Sequence, residues 1–156
     1  VNTVDLVESI RRHEGYRAFP YLDTEGLWTV GFGRLLHDLP IPRDLHTVGD
    51  LLTYLTDRDR HSEWLTEDVN SAIAVAKQWL GPVLPTLSDA RQRVVVEMAY
   101  QLGNRLHGFT LMKAALEAHD YDRAADEGLR SRWSMQTPKR ARELMAILRT
   151  GVDRLI

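Results

Sequence analysis

Apolar residues recur at three- and four-residue steps through most of this chain, and the period drops to two only between residues 19 and 33. Leu6, Val7 and Ile10 share one face of a predicted first helix. Asn2 or Thr3 can cap it with a side-chain oxygen, and Gly15 stops it, since glycine tolerates the left-handed backbone of a helix end. Leu65, Val69, Ala72, Ile73, Ala76 and Leu80 mark a long amphipathic helix, beginning near Asp57 and ending at Gly81-Pro82. About 24 residues at 1.5 Å rise give it a length of roughly 36 Å. A shorter helix is predicted around Thr47 to Leu55.

Beyond residue 81 the pattern is helical throughout. Ser88 or Asp89 starts a helix with Val94, Val95, Met98 and Leu102 inward and Gly103 at its end. Thr110 is placed as the cap of a segment through Ala118, Tyr121 to Leu129 forms another helix, and Pro138 to Arg149 a last one. Thr137 is its expected cap, Pro138 its first residue and Gly151 its stop.

The exceptional stretch has three pieces. Phe19-Pro20-Tyr21-Leu22 reads as a strand start or an edge, because Pro20 cannot donate to a ladder. Asp23-Thr24-Glu25-Gly26 reads as a turn. Leu27 to Gly33 alternates, with Trp28, Val30 and Phe32 on one side and Leu27, Thr29 and Gly31 on the other. Gly31 beside Thr29 is expected to leave open space. The prediction is thus an α+β chain, mostly α, with one small β-hairpin and no independent second domain.

Composition changes this picture little. A chain of 156 residues, 44% apolar and 27% charged, suits a single globular domain. It has no cysteine, which excludes disulfides and thiolate chemistry. No apolar run reaches membrane-spanning length and the first residues lack a signal-peptide core, so cytoplasmic synthesis without membrane insertion is expected. The net charge of −2 is unevenly spread: residues 1–129 hold 13 Lys and Arg against 20 Asp and Glu, whereas residues 130–149 hold six basic side chains against Glu143. That basic segment suits either an anionic polymer or pairing with acidic residues elsewhere in the fold.

The chemistry-bearing groups lie in the exceptional stretch. Glu14 falls in the last turn of the first helix and Asp23 in the hairpin turn. Two carboxyl groups facing each other across a cleft suit glycosidic bond cleavage, one donating a proton and the other acting ionised. The negative end of a helix suits the donor, and a turn open to water suits its partner. Thr29 can bond a water held by Asp23. In the plainer alternative Glu14 makes a salt bridge, Asp23 starts a turn and Thr29 is a strand residue. Such carboxylate pairs are common, so spacing alone favours the plainer reading. His13-Glu14 begins a zinc motif, but Arg17 stands where its second His belongs; Gly31-Phe32-Gly33 begins a dinucleotide motif, but Leu36 stands where its third Gly belongs. No metal or cofactor is expected.

Taken together, Glu14-Gly15, Tyr21-x-Asp23-Thr24-Glu25-Gly26 and Thr29-Val30-Gly31-Phe32-Gly33 resemble the active-site segment of phage-type lysozymes of the T-even type. Met98 to Gly103, Gly108-Phe109-Thr110, Ser131-Arg132-Trp133, Gln136-Thr137-Pro138-x-Arg140-Ala141 and Arg149-Thr150-Gly151 match that family in the same order. The resemblance implies a two-lobed fold: residues 13–60 as a β-containing lobe, 61–80 as a linking helix, and 1–12 with 81–156 as a helical lobe, with hinge motion between lobes. It implies a monomeric muramidase acting on bacterial peptidoglycan by an inverting mechanism. Glu14 would be the general acid, Asp23 the second carboxylate and Thr29 the group that helps place the attacking water. Carboxyl groups about 6.5–9.5 Å apart are expected of an inverting enzyme. Gly33, Leu35, Tyr100 and Gln101 would contact substrate.

The chain departs from the family at Arg34, where His is usual. The family's His pairs with an Asp on the long helix, so an Arg34–Asp68 ion pair is expected here. Leu111-Met112 replaces a polar pair, and the slightly acidic balance implies weaker attraction to an anionic wall than in the basic T-even enzymes. Three other readings stay open: a wall-binding module without turnover, a lytic transglycosylase, and a nucleic-acid binder using residues 130–149. The last lacks any helix-turn-helix or stacking-aromatic motif, so no nucleic-acid partner is expected.

Overall fold

Helix and strand fall close to where the two periods place them. The computed structural model describes residues 1–153. In order along the chain these form α1 (Thr3–Glu14), β1 (Arg17–Leu22), β2 (Trp28–Gly31), β3 (Arg34–Leu35), α2 (Val48–Thr56), α3 (Arg58–Leu80), α4 (Asp89–Leu102), α5 (Thr110–Glu117), α6 (Tyr121–Leu129), α7 (Arg132–Gln136) and α8 (Pro138–Thr150). The fold is α+β and mostly helical, with one antiparallel sheet in the order β1-β2-β3. The chain divides into two compact units, Glu8–Asp68 on one side and Val1–Val7 with the chain from Val69 onward on the other. Both boundaries fall inside helices, α1 and α3.

In the Glu8–Asp68 unit the helix ends are closed by the expected residue types. Gly15 adopts φ +69 and donates its N–H to Arg11 O, ending α1 where a Cβ would be strained. Thr47 Oγ1 accepts from Asp50 N at the start of α2, and Asp57 Oδ1 accepts from Asp59 N at the start of α3, each satisfying an N–H that the helix leaves free. Val30, Leu39, Leu55 and Trp64 form the core of this unit, with Leu36, Leu51 and Tyr54 packed against it. The β2 side chain of Val30 therefore faces α2 and the start of α3.

The strand pattern needs one correction. Alternation stops at Gly31, not Gly33, because Gly31 (φ +67) and Gly33 (φ +87) both turn left-handed and fold the chain back as β3. Phe32 leaves the sheet and packs on Tyr16, with ring centroids 4.8 Å apart. The space beside Gly31 is not open either. A Cβ there would lie 3.1 Å from the ring of His61, which is 1% exposed. His61 Nε2–H donates to Leu55 O over 2.6 Å, and Nδ1 pairs with the Tyr16 hydroxyl at 2.9 Å.

In the other unit, Asn2 Oδ1 accepts from Val4 N at the start of α1. Val94, Val95, Met98 and Leu102 of α4 are buried as predicted, and Gly128 of α6 lies where a Cβ would meet Met145 of α8. Two caps differ from expectation. Thr110 is the first residue of α5, not its cap, and Thr137 stands at the cap position of α8 but donates its hydroxyl to Trp133 O. α7 was not anticipated; five residues are too few to show a period.

The packing at Gly31 gives a test of this account. Gly31→Ala combines a left-handed backbone with a Cβ against a buried ring. We expect a loss of about 1–3 kcal/mol of unfolding free energy, read as a lower urea midpoint at unchanged m-value.

Candidate active site

The loop joining β1 to β2 is built around one carboxylate. Asp23 N donates to Leu27 O, and Gly26 N donates to Asp23 O. Asp23 Oδ1 then accepts from Glu25 N at 2.9 Å and from Leu27 N at 2.8 Å. One oxygen thus satisfies two backbone N–H groups that no strand can reach. Both these bonds use Oδ1, so Oδ2 stands outside them.

Closing the loop this way sets the register. Tyr21 lies opposite Thr29 and Leu22 opposite Trp28; Thr29 in turn lies opposite Leu35 and Val30 opposite Arg34. Directly opposed residues share a face. One face therefore presents the row Tyr21–Thr29–Leu35 across all three strands, and the other presents Val30 and Arg34. Between Arg17, opposite Gly31, and Tyr21 the register shifts, and β1 accommodates Pro20 in that irregular stretch, where its missing N–H disrupts no regular ladder.

Thr29 is 2% exposed, and its hydroxyl donates to Leu27 O at 3.1 Å. With that proton committed, Thr29 Oγ1 faces any further partner as an acceptor. Tyr21 is half-buried. Its phenol is raised above the ordinary tyrosine value, first by burial, then by the negative charges of Glu14 and Asp23, against the lowering pull of Arg17. Both carboxylates therefore act on one side chain of the row.

Glu14 ends α1 and is half-buried rather than enclosed. Its carboxylate lies against Gly33: a Cβ at Gly33 would sit 3.1 Å from Glu14 Oε2. The left-handed φ of Gly33 and its bare Cα are both required for that approach. The next residue, Arg34, is tied to α3. Its Nη1 bonds Asp68 Oδ1 at 2.5 Å and lies 3.7 Å from Glu67 Oε2. This is the ion pair expected from the departure at Arg34. The Asp68 carboxyl is pushed up to about 6, chiefly by burial; Arg34 opposes the shift and Glu67 adds to it.

Glu14, Asp23, Thr29, Gly33 and Leu35 thus belong to one compact unit, where the end of α1 positions Glu14 and the sheet with its turns positions the others. Tyr100 and Gln101 lie on α4 in the other unit, where the Gln101 side-chain oxygen accepts from Trp133 Nε1 at 2.7 Å. Tyr21 was not singled out from the sequence as a site residue. Its signal was present, since a turn centred on residues 23–27 puts it opposite Thr29. In the basic segment, Arg149 pairs with Asp122 and Asp126, Arg130 with Glu127, and Arg140 with Glu97. These three cations thus pair with neighbours within their own unit.

The chain is similar to known proteins along most of its length. The sequence pattern of the family described as phage lysozyme matches residues 11–149. The pre-baseplate central spike protein Gp5 of Enterobacteria phage T4 is 29% identical over 95% of this chain, which spans only 28% of that protein's length. Probable T4-type lysozymes 1 and 2 of Dictyostelium discoideum are 23% and 25% identical, with 94% of both chains covered in each case.

The raised Asp68 carboxyl sets a direction for pH dependence. The folded protein holds this proton up to about pH 6, whereas the unfolded chain releases it near 3.8. Between those values the native state binds more protons, so stability declines as pH rises through the window. We expect a decline on the order of 1–2 kcal/mol, reduced by solvent screening of this partly exposed group. Urea unfolding from pH 4 to pH 7 measures it, and Asp68→Asn should flatten the slope.

Proposed function

The chain belongs to the phage lysozyme family, and on that footing we propose that it is a muramidase. It hydrolyses the β-1,4 bond between N-acetylmuramic acid and N-acetylglucosamine of bacterial peptidoglycan, with inversion, and so lyses bacterial cells. The observation that bears most on this reading is the division of labour at Asp23 and Thr29. Asp23 holds its loop through Oδ1, leaving Oδ2 to accept a proton. Thr29 donates its hydroxyl hydrogen bond to Leu27 O, so its oxygen accepts from a water instead of donating to it. A water donating one hydrogen to Asp23 and the other to Thr29 turns a lone pair toward the anomeric carbon.

In the proposed step Glu14 gives its proton to the glycosidic oxygen as the carbon–oxygen bond breaks. The water oxygen bonds the anomeric carbon from the opposite face and its proton passes to Asp23. The sugar leaves with a free, inverted reducing end. Glu14 ends ionised and Asp23 protonated, and exchange with solvent restores both. Gly33 supports the acid by letting the backbone approach its carboxylate, and Leu35 extends the same face as a sugar contact. A lytic transglycosylase has no use for a pair of acceptors arranged to hold water.

Glu14→Gln should fold with the thermal midpoint of the parent and lose about 10²–10⁴-fold in the rate of cell-wall clearance. Full clearance by that variant would remove Glu14 from the mechanism. Mass spectrometry of the parent's products should show hydrolysed reducing ends; anhydro sugars would point to the transglycosylase. Gly33→Ala, whose Cβ would crowd Glu14 Oε2, should lower turnover about tenfold or more through misplacement of the acid.

A further inference from the structure

The face that presents Thr29 and Leu35 has a third member with no assigned task. Tyr21 is directly opposite Thr29, in the same row across the sheet. The guanidinium of Arg17 lies 4.6 Å from the centroid of its ring, a cation–π contact that holds one face of the ring and leaves the hydroxyl end unconstrained. No hydrogen bond of that hydroxyl occurs among the described residues. Asp23 follows two residues later, and its Oδ1 closes the adjoining loop.

We propose that the Tyr21 hydroxyl is a substrate-contacting donor, which gives a hydrogen bond to an oxygen of the sugar held between Glu14 and Asp23. The inference rests on the muramidase reading and deepens it by naming a third side chain from the sheet that meets the glycan. A sugar presents hydroxyl, ring and N-acetyl oxygens that accept from a phenol at little cost in rotamer entropy, since the ring is already held. Burial, with the negative charges of Glu14 and Asp23 added to it, raises the phenol above the ordinary tyrosine value against the pull of Arg17, which favours the protonated hydroxyl. It is a neutral donor that keeps its hydrogen through the reaction, whereas Glu14 gives its proton to the glycosidic oxygen and Asp23 acts as an acceptor.

Tyr21→Phe tests this directly because it removes only the hydroxyl. Two measurements are made on parent and variant: steady-state hydrolysis of purified peptidoglycan, and titration with a soluble β-1,4-linked N-acetylglucosamine tetramer followed by NMR of the aromatic ring at residue 21. We expect kcat/KM to fall about 10–100-fold, and the tetramer to bind severalfold more weakly. The thermal midpoint should stay that of the parent, because no internal hydrogen bond is lost; a merely structural hydroxyl would lower it. A variant with the parent's kcat/KM and the parent's tetramer affinity overturns the proposal. A parent that binds the tetramer without hydrolysing peptidoglycan refutes the muramidase reading, and the affinity of the variant still decides the role of Tyr21. A parent that neither cleaves nor binds refutes both.

Discussion

Two hydrogen bonds to one oxygen of Asp23 govern how the sheet presents its side chains. Oδ1 takes the N–H groups of Glu25 and Leu27, and by doing so fixes where the loop closes. Strand side chains alternate, so a slip of one residue would move a whole row to the other face. With the loop closed at Asp23 and Leu27, Tyr21 must oppose Thr29. Closed one residue earlier or later, Thr29 would point toward α2 and Val30 would leave its core. The burial of Val30 at 0% exposure and the loop bonds therefore enforce the same register from opposite faces.

β3 needs its own restraint, since two residues of strand contribute little pairing. The restraint comes from α3. Arg34 reaches Asp68 and Glu67, and its guanidinium lies 6.0 Å from the Trp64 ring centroid. These contacts hold the segment that also contains Gly33, whose bare Cα faces Glu14. Gly33 is thereby held beside the Glu14 carboxylate by a chain of local contacts that starts from an ion pair on α3. Arginine suits this position because its planar guanidinium offers several N–H donors to Glu67 and, more closely, to Asp68. That residue sits deep enough for burial to outweigh its partner.

Much of this was legible in the sequence, and what was not has physical reasons. Helix spans were readable because apolar period, caps and glycine stops agreed, as at Ser88, Asp57 and Gly15. Where a cap was misread, the hydroxyl had a competing acceptor: Thr137 turns to Trp133 O instead of a free N–H. The strands were readable as alternation, but the end of β2 was not, because a glycine fits a strand pattern and a left-handed turn equally well. The filling of the space beside Gly31 depends on His61, thirty residues away, and no local pattern encodes that contact. Glu14, Asp23 and Thr29 stand out as candidates only once set beside motifs along the rest of the chain. Tyr21 escaped notice because an aromatic in a strand is usually packing, and only the cross-strand register shows which aromatic shares a row with Thr29.

The arrangement at Asp23 also decides how substitutions there are to be read. Its carboxylate has a structural oxygen and, in the proposed mechanism, a chemical one. Asp23→Ala removes both, so lost activity would mix a slipped register with lost proton acceptance. Asp23→Asn keeps a carbonyl oxygen able to take the N–H groups of Glu25 and Leu27, while an amide NH₂ replaces the acceptor that a water would need. The two variants therefore separate the roles. A loss shared by both belongs to the chemistry, and any further loss in the alanine variant belongs to the loop. Loop and mechanism meet in one residue because the turn that sets the register also places a carboxylate next to the row it orders.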